Sequence, residues 1–389
     1  MTTLWDTTGS AVVKELAAQR RTGGAVLSGV ALTLVVVADE DRVTEAEDAA
    51  TTAAEQHPCR ILVVVRRQIE APVPRLDAEV SIGGRLGPGE AVVMRMYGRL
   101  ALHAESVVLP LLAADAPVVT WWHSDPPERL TTDALAVIAD RRITDSAVAG
   151  DQLTALRTRA QDYAPGDTDL AWTRVTGWRA TLTSALDSVS GRRGDAVRIV
   201  GGHIEGDPGA ACAQLLAGWI ESRSGSRLEV VQGARHPGPT GVDSVVLQLD
   251  QDEEVRVHTD RRGGAVISQP YRPDATMALS DRSLGDLLGE ELRRLDPDEP
   301  YAEALEVSTG TSGLTRRAPL RSHVWVDPAE QDGGRTGGAL DADAVGENSP
   351  HGAAPTVPPT SEGTDEVALA GEHDTPDPTA PEPETGAVR

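Results

Sequence analysis

The chain has 389 residues, which is too long for one compact core and predicts two folded domains. Its formal net charge of −24 argues against a nucleic-acid-binding surface. Schiff-base and phosphate-loop chemistry each need a lysine, and Lys14 is the only lysine in the chain. No apolar run reaches the length of about 18 residues that a membrane span needs, and no signal peptide is recognised, so we expect a cytoplasmic protein.

Helix and strand patterns alternate over the first 160 residues. In chain order, helices are predicted over residues 8–21, 43–56, 100–114 and 132–139, and strands over residues 25–38, 60–67, 75–82, 90–97 and 141–145. The order strand, helix, strand in the first part of this region is typical of a right-handed parallel crossover. We therefore predict that residues 1–160 form a three-layer α/β domain with a mostly parallel sheet.

A short apolar strand with two tryptophans is predicted within this domain. Residues 117–122 read PVVTWW, and the turn sequence SDPP follows His123. Such a run is typical of a strand that is buried on both faces of a parallel sheet, and ligands or partners bind where such strands end. Because side chains alternate along a strand, we expect one of Trp121 and Trp122 to lie in the core and the other at a rim or pocket.

A second stretch rich in tryptophan and arginine, residues 164–186, predicts one amphipathic helix. After a turn at Pro165-Gly166, Asp167 or Thr168 can cap this helix, and Asp169 lies in its first turn, where the helix dipole favours a negative charge. Gly177 in the helix interior indicates either a close neighbour or a bend. This helix is predicted to begin the second domain.

The remaining elements predict a mixed α+β domain over residues 161–307. Its strands are predicted over residues 196–200, 228–231, 244–250, 254–259 and 264–268, its helices over 210–221 and 284–295, and a last turn over 301–305. Residues 308–389 are rich in glycine, proline and threonine, and residues 328–389 contain 13 acidic residues and two arginines. Such a composition cannot bury enough apolar surface to offset the entropy of the chain, so we predict a disordered acidic tail.

The motifs contain no recognisable catalytic constellation. Residues 199–210, IVGGHIEGDPGA, lack the glycine and lysine spacing of a phosphate-binding loop and are predicted to form a structural turn. His203, Glu205 and Asp207 alternate as metal ligands would, but too few further ligands accompany them. We therefore predict no catalytic residue, no cofactor and no metal. Tryptophan and arginine, which are enriched in interface hot spots, concentrate in two stretches instead.

Four ordered motifs resemble the glucose-6-phosphate dehydrogenase assembly protein family, OpcA, of actinobacterial type. They are APVVTWWHSDPP from Ala116, RRITD from Arg141, GDTDLAWTRVTGWR from Gly166 and LRRLDPDEPYAEAL from Leu292. The resemblance implies a non-catalytic partner that binds glucose-6-phosphate dehydrogenase, promotes its active oligomer or activates it allosterically, and so supports NADPH supply through the pentose phosphate pathway. Photosynthetic relatives are linked to redox control through cysteines, which Cys59 and Cys212 do not match, so redox sensing stays open.

We hypothesise that the loop Trp121–Glu128 and the helix start at residues 167–179 form one surface for the dehydrogenase. The residues predicted to contact this partner are Trp121, Trp122, His123, Asp125, Arg141, Arg142, Asp167, Asp169, Trp172, Arg174, Trp178 and Arg179. On this hypothesis, Trp122→Ala weakens binding with little loss of melting temperature. Two alternatives remain, namely an enzyme acting on a sugar phosphate and a regulatory domain that binds a small anion at the four arginines of this set.

Overall fold

The computed structural model describes residues 1–22, 30–83, 89–233, 239–260, 264–279 and 281–319. Over these ranges the chain forms two mixed sheets with helices packed against them, which confirms the predicted α/β class. The helices are α1 (Gly9–Thr22), α2 (Val43–Gln56), α3 (Arg99–Leu102), α4 (Glu105–Val108), α5 (Ala134–Val137), α6 (Gln152–Asp162), α7 (Leu170–Arg174), α8 (Thr176–Arg193), α9 (Ala211–Ser224), α10 (Leu284–Leu292) and α11 (Glu299–Thr309).

The first sheet has eight strands in the order β1, β4, β5, β3, β2, β6, β7, β8. They are β1 (Thr2–Leu4), β2 (Leu32–Ala38), β3 (Cys59–Arg67), β4 (Arg75–Ile82), β5 (Glu90–Tyr97), β6 (Val118–Trp122), β7 (Arg141–Thr144) and β8 (Asp167–Asp169). The six strands from β5 to β8 in this order run parallel, β4 pairs antiparallel with β5, and β1 pairs antiparallel with β4. The chain leaves β2 toward β3 on one side and returns to β6 on the other, which places the topological switch point between β2 and β6.

Helices cover both faces of this sheet, as the three-layer prediction requires. Val35 and Val37 of β2 belong to the apolar cluster beneath α1 and the short helices α3 to α5. Leu34 and Val36 belong to the cluster beneath α2 and α10. Because β2 is buried on both faces, it reads as a continuous apolar run rather than an alternating one.

Two elements from beyond residue 160 complete this layered unit. Strand β8 pairs with β7, and α10 packs against α2, where the β-carbon of any larger residue at Gly285 would lie 3.0 Å from the Ala49 carbonyl. The alanines of α2 give this close approach its room. The predicted boundary between residues 160 and 161 stays a prediction, and the first sheet draws on chain from both sides of it.

The second sheet has six strands in the order β10, β9, β11, β12, β13, β14. They are β9 (Ile199–Gly206), β10 (Glu229–Gln232), β11 (Val242–Leu249), β12 (Glu254–Thr259), β13 (Gly264–Gln269) and β14 (Arg272–Ala278). Only β10 and β9 pair in parallel. Helices α8 and α9 pack against this sheet, and α11 packs against α9. This arrangement matches the predicted mixed α+β character.

The prediction of a structural turn over residues 199–210 is wrong for most of its length. Residues 199–206 form β9, a central strand between β10 and β11. Gly202 has a φ of +146° and lies so close to the Val246 carbonyl that a β-carbon would collide with it. The glycines therefore serve close backbone packing within a sheet. The turn itself is confined to the residues after β9, where the Asp207 carboxylate accepts a hydrogen bond from the Gly209 amide at 2.8 Å.

The helix predicted to follow a cap at Asp167 or Thr168 is present, but it begins later than predicted and is interrupted. The stretch divides into β8, α7 and α8, with a break at Val175. Gly177 accommodates a close neighbour, because a β-carbon there would lie 2.9 Å from the Leu279 side chain. The two explanations offered for this glycine thus occur together, a change of direction before it and a close neighbour beside it.

The predicted disordered tail begins too early. Helix α11 continues to Thr309, Leu314 is fully buried in the core of the second sheet, and Arg317 donates hydrogen bonds of 3.0 Å to the carbonyls of Gln161 and Tyr163. Through these contacts a segment that its composition predicts as tail packs against the folded part of the chain. The rest of that prediction, residues 320–389, lies outside the described residues.

Candidate binding site at the carboxyl edge of the first sheet

A cleft of about 330 Å³ opens where β2, β6 and β7 end. Its wall is built from Arg42 after β2, the loop after β6, the residues that follow β7, and the side of α6 that carries Arg159. A smaller hollow of about 140 Å³ adjoins it and shares Trp122 and His123. The cleft lies beside the switch point between β2 and β6, the position at which open α/β sheets bind ligands.

The loop after β6 is fixed at both of its ends. The backbone amides of His123 and Ser124 donate to the Val37 carbonyl at 2.9 and 3.1 Å, so the chain turns across the end of β2. Farther along, Nη2 of Arg159 donates to the carbonyls of Pro127 and Glu128 at 2.7 and 2.9 Å. The two prolines between these anchors limit the backbone further.

Both tryptophans of β6 are core residues, each only 1% exposed. Trp121 packs in the layer of α2 and α10, and Trp122 packs in the layer of α5. Neither of them stands at an exposed rim, because helices cover both faces of the sheet up to its carboxyl edge, and the pocket is the part of the prediction that holds. Trp122 still lines the inner wall of the cleft, while Asp125 in the following loop is exposed.

His123 is buried in the same wall. Its ring lies edge-on to Trp121 with the ring centroids 5.1 Å apart, and Nε2 lies 3.5 Å from a carboxylate oxygen of Glu45. Burial lowers the pKa of His123 below its usual value, and the positive charge of Arg42 lowers it further. The ring is therefore neutral at neutral pH and serves packing and hydrogen bonding.

Asp145 and Arg174 form a bidentate ion pair beside the cleft, with N–O distances of 2.6 and 2.7 Å. Burial raises the pKa of Asp145, while the Arg174 guanidinium opposes that shift. Asp169 lies deeper and accepts hydrogen bonds from the hydroxyls of Thr144 and Ser146 and from the Ala171 amide. These bonds tie β7, β8 and the start of α7 together.

Arg141 and Arg142 are neighbours on β7 and have separate, buried carboxylate partners. Arg141 pairs with Glu291 of α10, and its Nη1 donates to the Asp296 carbonyl at 2.9 Å. Arg142 pairs with Asp167 and donates to the carbonyls of Ala139 and Pro165. Burial raises the pKa of Asp167 despite this partner. Both arginines therefore hold structural elements together.

Trp172, Trp178 and Arg179 lie away from the cleft. The Arg179 guanidinium stacks on the Trp172 ring at 3.5 Å from its centroid, and the indole nitrogen of Trp172 donates to Asp298 at 2.9 Å. Trp178 is buried in the core of the second sheet. Burial lowers the pKa of Arg179 to about 10. The surface that the sequence suggested is thus largely interior.

Five of the twelve predicted contact residues border the cleft or its adjoining hollow, namely Trp121, Trp122, His123, Asp125 and Arg174. The four arginines proposed for a small anion do not form one free cluster, since three are in ion pairs and the fourth stacks on Trp172. Their interactions do not support the small-anion alternative at those positions.

Sequence reasoning missed three side chains that shape this edge. Arg42 and Arg159 reach the cleft from segments without a distinctive motif, and Val148 is 60% exposed on its wall. Sequence reasoning also missed Trp5, which does not line the cleft; it is 69% exposed and is the one exposed tryptophan among the six that the structure describes. Its setting among polar and turn-forming residues, TTLWDTTG, was the available signal.

The two cysteines and the alternating residues His203, Glu205 and Asp207 show neither a reactive thiol nor a metal site in the described ranges. Burial raises the pKa of both Cys59 and Cys212 to about 12, so neither presents a reactive thiolate at neutral pH. The alternating pair His203 and Glu205 lies with Nε2 3.5 Å from a carboxylate oxygen, and no group of three metal-ligating side chains occurs within the described ranges.

Comparisons with known proteins agree with the resemblance carried by the motifs. Residues 50–161 match the family described as glucose-6-phosphate dehydrogenase subunit N-terminal domain, and residues 165–305 match the corresponding C-terminal domain. No curated protein matches the chain. An oxidoreductase crystal structure from Sinorhizobium meliloti aligns with a TM-score of 0.30 and 10% identity over 74% of this chain and 89% of that one, too low a likeness for any argument. Every helix in the described part is too short or too polar to cross a membrane. The chain belongs to the OpcA family of glucose-6-phosphate dehydrogenase assembly proteins.

Proposed function

We propose that the chain binds glucose-6-phosphate dehydrogenase and promotes its active oligomer without catalysing a reaction itself. The two family matches carry this proposal, because in chain order they correspond to the N- and C-terminal domains of a glucose-6-phosphate dehydrogenase subunit. Through this partner the chain supports NADPH supply by the oxidative pentose phosphate pathway in the cytoplasm.

The side-chain chemistry of the sheet edge supports a non-catalytic role. The carboxylates of Asp145, Asp167 and Glu291 are held by arginines, and Asp169 has its oxygens filled by hydroxyl and amide donors. Groups engaged in this way are poorly placed to exchange protons with a substrate. Their bonds link strands and helices, which suits a scaffold that presents a surface.

The contact surface is best assigned to the outward side chains of the predicted segments, with the buried tryptophans as support. Asp125 and Glu128 are exposed in the loop after β6, and Val148 presents an exposed apolar side chain on the wall of the same cleft. An apolar contact ringed by charges is typical of a protein interface. Trp172, Trp178 and the arginine pairs then position this surface without touching the partner.

Adding the chain to glucose-6-phosphate dehydrogenase from the same organism is expected to give a larger complex with a higher rate. An activator must bind the active state of its partner more tightly than the inactive state, and tenfold activation needs about 1.4 kcal/mol of differential affinity. Light scattering after gel filtration measures the mass, and the initial rate of NADPH formation measures the activity.

Two matched variants locate the contact in the same assay. Val148→Asp places a charge in the proposed interface and is expected to weaken binding at least about tenfold, or about 1.4 kcal/mol. Asp274→Arg alters an exposed residue of β14 in the second sheet and is expected to leave binding unchanged. If the unaltered chain neither associates with the dehydrogenase nor changes its rate, the proposed function is refuted. Equal binding by both variants would refute only the proposed contact surface.

A further inference from the structure

Arg159 is a buried cation that has no carboxylate partner among the residues that the structure describes. The side chain is 7% exposed, and it forms no ion pair with any carboxylate in the described ranges. Its Nη2 holds two backbone carbonyls, which carry only partial negative charge. A guanidinium cannot shed its proton to escape burial, so a full positive charge remains at the wall of the cleft.

Two donor groups of this wall also lack acceptors. Nη1 of Arg159 and the indole Nε1 of Trp122 are buried and have no hydrogen-bond partner among the described residues, and both side chains line the cleft. Each of these groups can only donate. Native proteins rarely leave such atoms unsatisfied, and an acceptor that carries negative charge is the strongest partner for a donor of this kind.

The other charges around the cleft do not neutralise Arg159. Asp145 is bound by Arg174, and Arg42 pairs with Glu45 at 3.0 Å. Asp125 and Glu128 lie exposed at the mouth, where their carboxylates can accept hydrogen bonds from hydroxyl groups. The cleft thus combines an inner wall that attracts one anionic group with a mouth that suits hydroxyls.

We infer that this cleft binds a small hydroxylated metabolite through one phosphate or carboxylate group, held by Arg159 and Trp122. The guanidinium turns Nη1 toward the anion while Nη2 keeps the loop after β6 in place. The volume of about 330 Å³ lies at the lower end of the range for small-molecule sites, and the carboxyl ends of parallel strands are their usual place. The site goes beyond dehydrogenase binding and does not depend on it.

Titration of the isotope-labelled full chain, followed by the indole N–H resonances, tests this site without any dehydrogenase present. The probes are glucose 6-phosphate for the phosphate, gluconate for the carboxylate, and glucose as the neutral control, at constant ionic strength. The Trp122 resonance, assigned with Trp122→Phe, is expected to shift saturably with at least one anion and not with glucose. The anion that binds more tightly identifies the preferred group.

Two arginines on the same helix provide the matched variants. Arg159→Gln is expected to weaken anion binding at least tenfold, whereas Arg157→Gln, which alters an exposed residue of α6, is expected to leave it unchanged. Arg159→Lys retains the charge and is expected to retain most of the affinity. The absence of a saturable shift in the unaltered chain would overturn the site, as would an equal response to glucose or an equal loss in the two glutamine variants. The titration of the unaltered chain decides the matter even where Arg159→Gln fails to fold.

Discussion

Trp122→Ala is expected to lower the free energy of unfolding by about 3–5 kcal/mol, the usual cost of removing a fully buried aromatic side chain. The indole is 1% exposed and packs among Leu130, Leu135 and the valines of β2 and β3. Neighbouring backbone cannot collapse into the space, because β6 is held by parallel pairing to β2 and to β7. Urea denaturation followed by circular dichroism measures the change.

Trp5→Ala is the matched control, since the same side chain is removed from a position that is 69% exposed. We expect its effect on stability to stay within about 0.5 kcal/mol. Trp122→Phe keeps most of the apolar volume and is expected to cost less than the alanine variant. A Trp122→Ala protein as stable as the unaltered chain would place this residue at the surface and restore the hypothesis that it contacts the dehydrogenase directly.

Elements with a strong local pattern could be predicted from the sequence to within a residue. Helix α2 and strands β4 and β5 have the predicted bounds, because apolar periodicity and flanking glycine or proline residues are properties of neighbouring positions. The three-layer arrangement of the first sheet followed from the order of these elements. Local signals of this kind identify what a segment is, and order along the chain identifies much of how it is connected.

Strand β8 shows where such signals end. Its three residues, Asp167 to Asp169, have no apolar periodicity and were predicted as the start of a helix. They form a strand because Arg142 to Thr144 of β7 offer an unpaired edge, and because Asp167 and Asp169 find buried partners there. The stabilising interactions come from residues about 25 positions earlier in the chain, which no local window contains.

Only part of the candidate site could be predicted from the sequence, because some of its features depend on residues that are distant in the chain. The carboxyl edge of β6 could be predicted from the apolar run and the turn after it, and the cleft lies there. The burial of Trp121 and Trp122 could not be predicted from the sequence, because α10 packs on Trp121 from more than 160 residues later in the chain. Arg159 likewise became notable only when the fold showed it to be buried without a carboxylate partner in the described ranges.

Glu291→Ala is expected to lower the free energy of unfolding by about 3–5 kcal/mol, because it leaves the Arg141 guanidinium buried without its counter-charge. Glu291 accepts from Arg141 and from the Thr173 hydroxyl, the latter at 2.6 Å, and both charged side chains are almost fully buried. Glu290→Ala, at the adjacent and more exposed position of α10, removes a carboxylate paired with Arg282 and is expected to cost no more than about 1 kcal/mol.

The double variant Arg141→Met with Glu291→Leu separates the loss of an ion pair from the loss of a charge partner. Replacing both members by apolar side chains removes the unpaired charge, so we expect the double variant to be more stable than the single variant Glu291→Leu, with a coupling energy of about 0.5–3 kcal/mol in the cycle completed by Arg141→Met. Additive effects would show that the two side chains do not interact. Arg141 lies in the part that matches the N-terminal family domain and Glu291 in the part that matches the C-terminal one. A strong coupling would therefore mean that the two family domains are stabilised by one buried network and that the edge proposed to contact the dehydrogenase depends on both.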